Sequence, residues 1–418
     1  MKFYIDPGTG SMLFTILIGI LGALRYVFKS WFVKLRFILS GGKKTVGSGD
    51  NIPIVIFSEG KQYWNIFNPI CRELDKRGVD VVFMTASEED PALKNDYPHI
   101  KAEFIGSGNK AFSRLNFLNA DIVLATTPGL DVYQWKRSRD VKSYIHVFHA
   151  AGDITLYRMF GLDYYDSILI SGDYQEKQVR DLEASRSLPA KEVVKVGIPY
   201  MDEMLFRFKN NPVVNKKNEG ITVLLAPSWG PSAILSKYGK NIIDVLLKTG
   251  YHIIVRPHPQ SFISEKDLMG KLMKEYLDSE QLEWNRDADN FEVLKRSDIL
   301  ISDFSGVIFD FALVYDKPVI YADTKFDKSI YDAWWLDQPL WTFEILPNLG
   351  MQLNASNMHC LKAMIEQCIS EEKYAEGRKK AIAETWTYQG EGAERVADYI
   401  IAKYKTIRDA EIIEGEDK

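Results

Sequence analysis

Ser297-Asp298-Ile299-Leu300-Ile301-Ser302-Asp303-Phe304-Ser305-Gly306-Val307-Ile308-Phe309-Asp310 runs from a short apolar stretch through a polar, glycine-containing turn into an apolar helix start. A run this short and this uniformly apolar reads as a strand buried on both faces, which is the habit of parallel sheets. The turn then aims free backbone N–H groups, and the positive end of the helix dipole, at the space above the sheet. Ser305 adds a hydroxyl donor, and the set suits a diphosphate. The competing reading is local: Asp303 or Ser305 caps the helix and binds no ligand.

The same strand-then-helix grammar extends in both directions. Toward the N-terminus lie IPIVIFSE (52–59), VDVVFMTA (79–86), ADIVLATTPG (120–129), SYIHVFHA (143–150), SILISG (167–172) and VVKVGIPY (193–200). The polar stretch 210–220 interrupts, and ITVLLAPSWG (221–230), YHIIVRPHP (251–259), the opening segment and KPVIYAD (317–323) follow. Helical patterns fill the gaps between them. Alternation of this kind predicts an α/β protein with two Rossmann-like lobes, residues 52–212 and 213–405, and a polar tail over 406–418. Their parallel sheets face a shared cleft, where the carboxyl ends of the strands collect ligands.

Other strand ends supply the remaining candidates. Arg256-Pro257-His258-Pro259 presents a guanidinium and an imidazole on a proline-stiffened turn, suited to neutralising phosphate charge or protonating a leaving oxygen. His146-Val147-Phe148-His149-Ala150-Ala151-Gly152-Asp153 places His149 at the top of the first lobe as a general base, with Asp153 behind it to orient the ring. The role of His146 stays open, and a His–His–Asp metal site is disfavoured because no further strong ligand lies nearby. Ser58 and Glu59 end the first strand, and Glu59 is an alternative acid or base. Pro227, Ser228 and Trp229 form a strand-end turn in which Trp229 either stacks a base or walls the cleft. For each of these, turn formation or packing is the competing explanation.

With 418 residues, 46% hydrophobic and 26% charged, the chain is globular and long enough for two cores. A net charge of -5 gives no basic field for nucleic acid, so an anionic ligand has to be held by local donors. Cys71, Cys360 and Cys368 are odd in number and far apart, which suits a reducing compartment rather than a disulfide framework. There is no GxGxxG, GxxxxGK[ST] or GxSxG, so dehydrogenase, P-loop and hydrolase readings lack support.

Residues 1–40 read as a membrane anchor. Met12–Leu24 is almost wholly apolar, and Arg25, Lys29, Lys34, Arg36, Lys43 and Lys44 follow it. The positive-inside rule puts that flank, and the lobes after it, on the cytoplasmic side. An interfacial helix that inserts Trp31, Phe32, Leu35 and Phe37 is the alternative to a span. Residues 41–51 read as a linker.

Taken in order, FHAAG (148–152), GIPYMD (197–202), LLAPSWG (224–230), VRPHP (255–259), SDILISDFSGVIFDFALVYDKPVIYAD (297–323) and GEGAERVADYI (390–400) resemble the CDP-glycerol glycerophosphotransferase family of teichoic-acid synthesis. The resemblance spans most of residues 50–405. It implies a GT-B architecture and transfer of glycerol phosphate, or a related polyol phosphate, from CDP-glycerol to a hydroxyl of a membrane-linked acceptor, with CMP released. It also implies a bacterial protein acting at the inner face of the cytoplasmic membrane. By position, His149 matches the first-lobe histidine taken as base, His258 the second-lobe histidine near the diphosphate, and Asp303 and Ser305 the donor-phosphate turn. Two departures stand out. The family's Trp-His-Gly is here Phe148-His149-Ala150, with the glycine displaced to Gly152, and its second serine after Ser305 is Gly306. No cofactor is required, although a divalent cation is compatible. The rival readings are a GT-B glycosyltransferase using a nucleotide sugar, a non-catalytic membrane-anchored binding module, and a non-hydrolysing sugar epimerase.

Overall fold

The computed structural model describes residues 51–211, 220–287, 289–323 and 326–416. The anchor and most of the linker expected at the N-terminus lie outside these residues. Among the described residues, no helix is long and apolar enough to cross a membrane.

Two wholly parallel sheets form the body. The first has seven strands in the order β3-β2-β1-β4-β5-β6-β7. These are β1 (Ile52–Ser58), β2 (Val81–Thr85), β3 (Ile100–Phe104), β4 (Ala120–Ala125), β5 (Val141–Val147), β6 (Ser167–Ile170) and β7 (Glu192–Lys195). The second has six, in the order β10-β9-β8-β11-β12-β13. They are β8 (Thr222–Leu225), β9 (His252–Val255), β10 (Leu282–Trp284), β11 (Ile299–Ser302), β12 (Val319–Ala322) and β13 (Gly350–Leu353). In each sheet the strand order reverses beside the founding strand, between β1 and β4 and between β8 and β11. Crevices open at such switch points.

Every strand expected from an apolar run is present. The three that the sequence does not announce, β3, β10 and β13, are all sheet edges. An edge strand keeps one side wet, so IKAEF and GMQL mix apolar with charged or polar residues and lack the continuous signature of a central strand.

Four helices matter below: α1 (Trp64–Lys76), α2 (Asp173–Arg186), α3 (Pro199–Asn210) and α4 (Gly392–Glu416). The last of these departs from the expected lobe boundaries. Instead of closing the second lobe and giving way to a polar tail, α4 returns to the first. Val396, Ala397 and Ile400 are buried there with Ile54, Phe67 and Ile70, and Tyr404 and Ile407 pack beside them. Asp202, in the GIPYMD segment, fixes this crossing. Its carboxylate accepts from Trp386 Nε1 at 2.8 Å and from the N–H groups of Gly390 at 2.7 Å and Gly392 at 2.9 Å. Two segments that carry the family resemblance thus form one structural knot. Of the cysteines, Cys71 and Cys368 fill buried helix positions, whereas Cys360 is exposed.

Replacing Asp202 with Ala strands two backbone donors and an indole N–H, each worth roughly 1 kcal/mol net. Chemical denaturation of Asp202→Ala is expected to show a loss of about 2–3 kcal/mol. An unchanged midpoint would remove the knot from this account.

Candidate active site

A cavity of 540 Å³ opens between the carboxyl ends of the two sheets. His149 and Ala150 line it from the first lobe; Pro227, Arg256, His258, Ser305 and Gly306 line it from the second. The structure therefore brings both candidate histidines, the guanidinium and the serine–glycine turn to one space.

His149 follows β5 and is held from beneath. Its Nδ1 meets the hydroxyl of Thr126, just beyond β4, and the Tyr63 ring stands edge-on with centroids 5.8 Å apart. Nε2 has no protein partner among the described residues. Burial lowers the pKa of the ring to about 4, so the imidazole is neutral and able to accept a proton near neutral pH. Thr126, not Asp153, is therefore the group that orients His149. Asp153 is turned away, and its oxygens accept from the N–H of Trp341 at 3.0 Å and of Thr342 at 2.7 Å, in the other lobe. The helix Trp341–Glu344 has no cap of its own, and a carboxylate there answers both its unsatisfied N–H groups and its dipole. In return, Thr342 Oγ1 accepts from Asp153 N at 3.1 Å. The displaced Gly152 has a reason in this contact. It adopts φ +130, and a Cβ there would stand 3.0 Å from Thr342 Oγ1. His146 stays in the core, bonded to the Tyr157 hydroxyl at 3.1 Å.

On the facing lobe, His258 Nδ1 accepts from the N–H of Gln260 at 3.1 Å. This fixes the neutral tautomer with the proton on Nε2, a donor available to the cleft. Burial pulls its pKa below the usual value, while Asp303 and Glu265 pull the other way. Arg256 is held by Asn285 Oδ1 and by the carbonyl of Asp287 at 2.9 Å, beyond the end of β10.

Asp303 contradicts its expected contact with the donor phosphates. It is 1% exposed, and its oxygens take the N–H groups of Ser228 at 2.9 Å, Phe304 at 2.8 Å and Ile234 at 3.0 Å. A carboxylate spent on three backbone donors braces the turn from beneath. Ser305, Gly306 and Val307 keep N–H groups with no acceptor among the described residues, and those face the cavity. A Cβ on Gly306 would meet nothing within 4 Å, so its small size leaves open space on the ligand side.

The weaker candidates separate. Pro227 lines the cavity; Ser58, Glu59, Ser228 and Trp229 do not. Ser58 closes a turn by donating to the carbonyl of Gly60 at 2.9 Å. Trp229 is 45% exposed at the rim, its ring centroid 6.4 Å from that of His258. Tyr63, Tyr200, Asp289, Asn290 and Asp310 also line the cavity, and no local sequence pattern assigns them a role. Asp310 carries the plainest signal, as the last residue of the opening segment. Burial pushes its carboxyl up to about 7, and the Tyr200 hydroxyl, at 3.5 Å, partly offsets this. No cluster of three His, Cys, Asp or Glu residues among the described residues could hold a metal ion.

The family described as CDP-glycerol:poly(glycerophosphate) glycerophosphotransferase matches residues 158–402, more than half of the chain. The chain belongs to that family. Arg256, His258, Asp303 and Ser305 fall inside the matched span, and His149 lies just before it. No curated protein matches the chain. Among solved structures, the wall teichoic acid polymerase TagF, soaked with CDPG, superposes with a TM-score of 0.56 at 16% identity, covering 91% of this chain and 98% of that one. The UDP-GlcNAc 2-epimerase of Methanocaldococcus jannaschii gives 0.53 at 13% identity, covering 84% and 99%. A putative UDP-N-acetylglucosamine 2-epimerase of Listeria monocytogenes gives 0.55 at 13%, covering 85% and 97%. At these identities the likeness is one of fold, and it agrees with two Rossmann-like lobes in a GT-B-like arrangement.

A folded-state pKa near 7 against an ordinary 3.8 means that Asp310 binds a proton on folding, so its contribution to stability is lost as pH rises through about 7. Asp310→Asn removes this loss. Relative to the unaltered protein, the variant is expected to gain about 1.4 kcal/mol per pH unit between pH 5 and 6.5 in denaturation experiments. Parallel pH dependences of the two proteins would contradict the assignment.

Proposed function

We propose that this glycerophosphotransferase moves glycerol phosphate, or a related polyol phosphate, from a CDP-alcohol to a hydroxyl of a membrane-linked acceptor at the cytoplasmic face of the membrane. One observation carries the reading. A neutral imidazole, its Nε2 unpartnered among the described residues, lies on the first lobe across a single cavity from a set on the second that suits an anion: Arg256, His258 and the N–H groups of Ser305 and Gly306, which have no acceptor among the described residues. The family match supports the donor. The apolar, basic-flanked segment before residue 40 supports the membrane side.

The donor diphosphate lies along Ser305, Gly306 and the helix start, where backbone dipoles meet its charge. Arg256 adds a fixed positive charge, and His258 offers its Nε2–H to a phosphate oxygen. His149 orients the acceptor hydroxyl and takes its proton as the oxygen attacks the β-phosphorus. The new P–O bond forms while the bond from the β-phosphorus to the bridging oxygen breaks, and CMP leaves with that oxygen. Charge moves onto CMP in this step, so stabilisation by Arg256 and His258 grows along the path. The remaining contribution is positioning of the hydroxyl in line with the leaving group.

The test is CMP release from CDP-glycerol and other CDP-alcohols, with bacterial membranes supplying the acceptor. His149→Ala and His258→Ala are each expected to lower turnover by roughly 10²–10⁴-fold. His149→Ala should leave donor affinity near its original value, since its ring faces the acceptor. Release of UDP from nucleotide sugars without CMP release from any CDP-alcohol would replace this reading with a glycosyltransferase. Absence of turnover by the unaltered protein with any donor would point to a binding module, and full turnover of both variants would remove the two histidines from the reaction.

A further inference from the structure

Three loops that leave the carboxyl ends of β4, β5 and β12, the side on which the cavity opens, carry an apolar face exposed among the described residues. Ile330, Trp334 and Trp335 come from the segment after β12, Phe160 and Tyr164 from the connection between β5 and β6, and Tyr133 from the loop after β4. Their exposures run from 39% for Phe160 to 57% for Trp334. The loops are joined to each other. Met159 N donates to Ile330 O at 3.2 Å, Arg158 and Tyr331 form an antiparallel bridge, and the Phe160 and Trp335 rings lie 6.4 Å apart. Gly129 N donates to Gly161 O at 2.7 Å, tying in the third loop.

This face is rigid. Asp332 accepts from Phe160 N at 2.7 Å and from Gly161 N at 3.1 Å, and it pairs with Arg186, which also meets Asp163 at 2.6 Å. The Arg186 guanidinium lies over both the Phe160 and the Trp335 rings, 4.9 and 5.2 Å from their centroids. A buried ion triad thus braces exposed aromatics, so their exposure is built in. Patches of this kind mark interaction surfaces.

We propose that this face is a membrane-docking surface, seating its tryptophans and tyrosines among the lipid headgroups and turning the cleft mouth toward the bilayer. The proposal rests on the membrane-linked acceptor put forward above. Trp and Tyr, with an apolar ring and a polar tip, are the side chains that favour the bilayer interface. The chain before β1 argues for lipid over a protein partner. It carries the apolar run Met12–Leu24, followed by basic residues and a joining segment of 11 residues, 41–51, which spans at most about 40 Å. An anchor on such a tether keeps the lobes at the surface without choosing which side faces it, and a second, fixed contact makes that choice. The exposed cations Arg158, Lys136 and Arg139 are matched by Asp140, Asp327 and Asp337, so docking is apolar and interfacial rather than electrostatic.

Hydrogen exchange of the full chain, with and without vesicles of mixed phosphatidylcholine and phosphatidylglycerol, tests this. Exchange at 158–164 and 329–336 is expected to slow roughly tenfold on vesicles, with little dependence on salt. Combining Ile330→Ser with Trp334→Ser is expected to abolish the slowing while the chain stays vesicle-bound. The same double variant should lower CMP release with membrane acceptor by roughly tenfold at unchanged CDP-glycerol affinity. A vesicle-bound chain whose exchange is unchanged at both segments overturns the surface and leaves the membrane reading standing. A full chain that binds no vesicles overturns the membrane reading itself. Slowing that appears without vesicles and grows with protein concentration assigns the face to a second copy and overturns the lipid assignment.

Discussion

The site depends on one buried carboxylate that crosses from lobe to lobe. Asp153 sits four residues beyond His149 and takes the two leading N–H groups of a helix in the donor lobe. A helix end buried without a partner costs several unsatisfied donors, and a neutral acceptor would answer them less well than a charge at the positive end of the dipole. The exchange is mutual, since Thr342 accepts from the Asp153 N–H and Gly152 supplies the space. The loop that carries His149 is thereby fixed against the lobe that carries His258 and Arg256.

The same economy recurs among the other aspartates. Asp202, Asp303 and Asp332 each spend their oxygens on N–H groups and pin a crossing, a turn and a seam respectively. Asp289, on the cavity wall, is paired with Arg207 at 3.0 Å, and Asp310 has its pKa raised to about 7 by burial. A protein of net charge -5 can therefore still offer the anion site proposed above, because Asp289 is ion-paired and burial favours the neutral form of Asp310. What lines the cavity opposite His149 is a guanidinium, an imidazole N–H and the open end of a helix.

Central strands were legible because burial on both faces forces a continuous apolar run, whereas edge strands β3, β10 and β13 carried no such mark. His149, His258, Arg256, Ser305 and Gly306 were legible as strand-end residues, since parallel sheets put their ligand sites there. Asp153 and Asp303 differ from their expected roles for one shared reason. An aspartate beside a turn looks alike whether it faces a ligand or caps a backbone, and its partner can lie far along the chain, as Asp153 and Thr342 do. Thr126 escaped notice because its task depends on β4 and β5 being neighbours, which is a property of sheet order and not of local pattern. Helix α4 was misplaced likewise: its apolar stripe is evident, but the sheet it covers is not.

The central claim is that a clasp between the lobes positions the base and does not help to bind the donor. Asp153→Ala, compared with Asp153→Asn, separates these effects through CDP-glycerol affinity by calorimetry and CMP release with membrane acceptor. Loss of the clasp is expected to leave donor affinity within about threefold and to cut turnover by roughly 10²-fold, with partial recovery in the Asn variant, which keeps one acceptor oxygen. Unchanged turnover, or donor affinity lost in proportion to turnover, would contradict it.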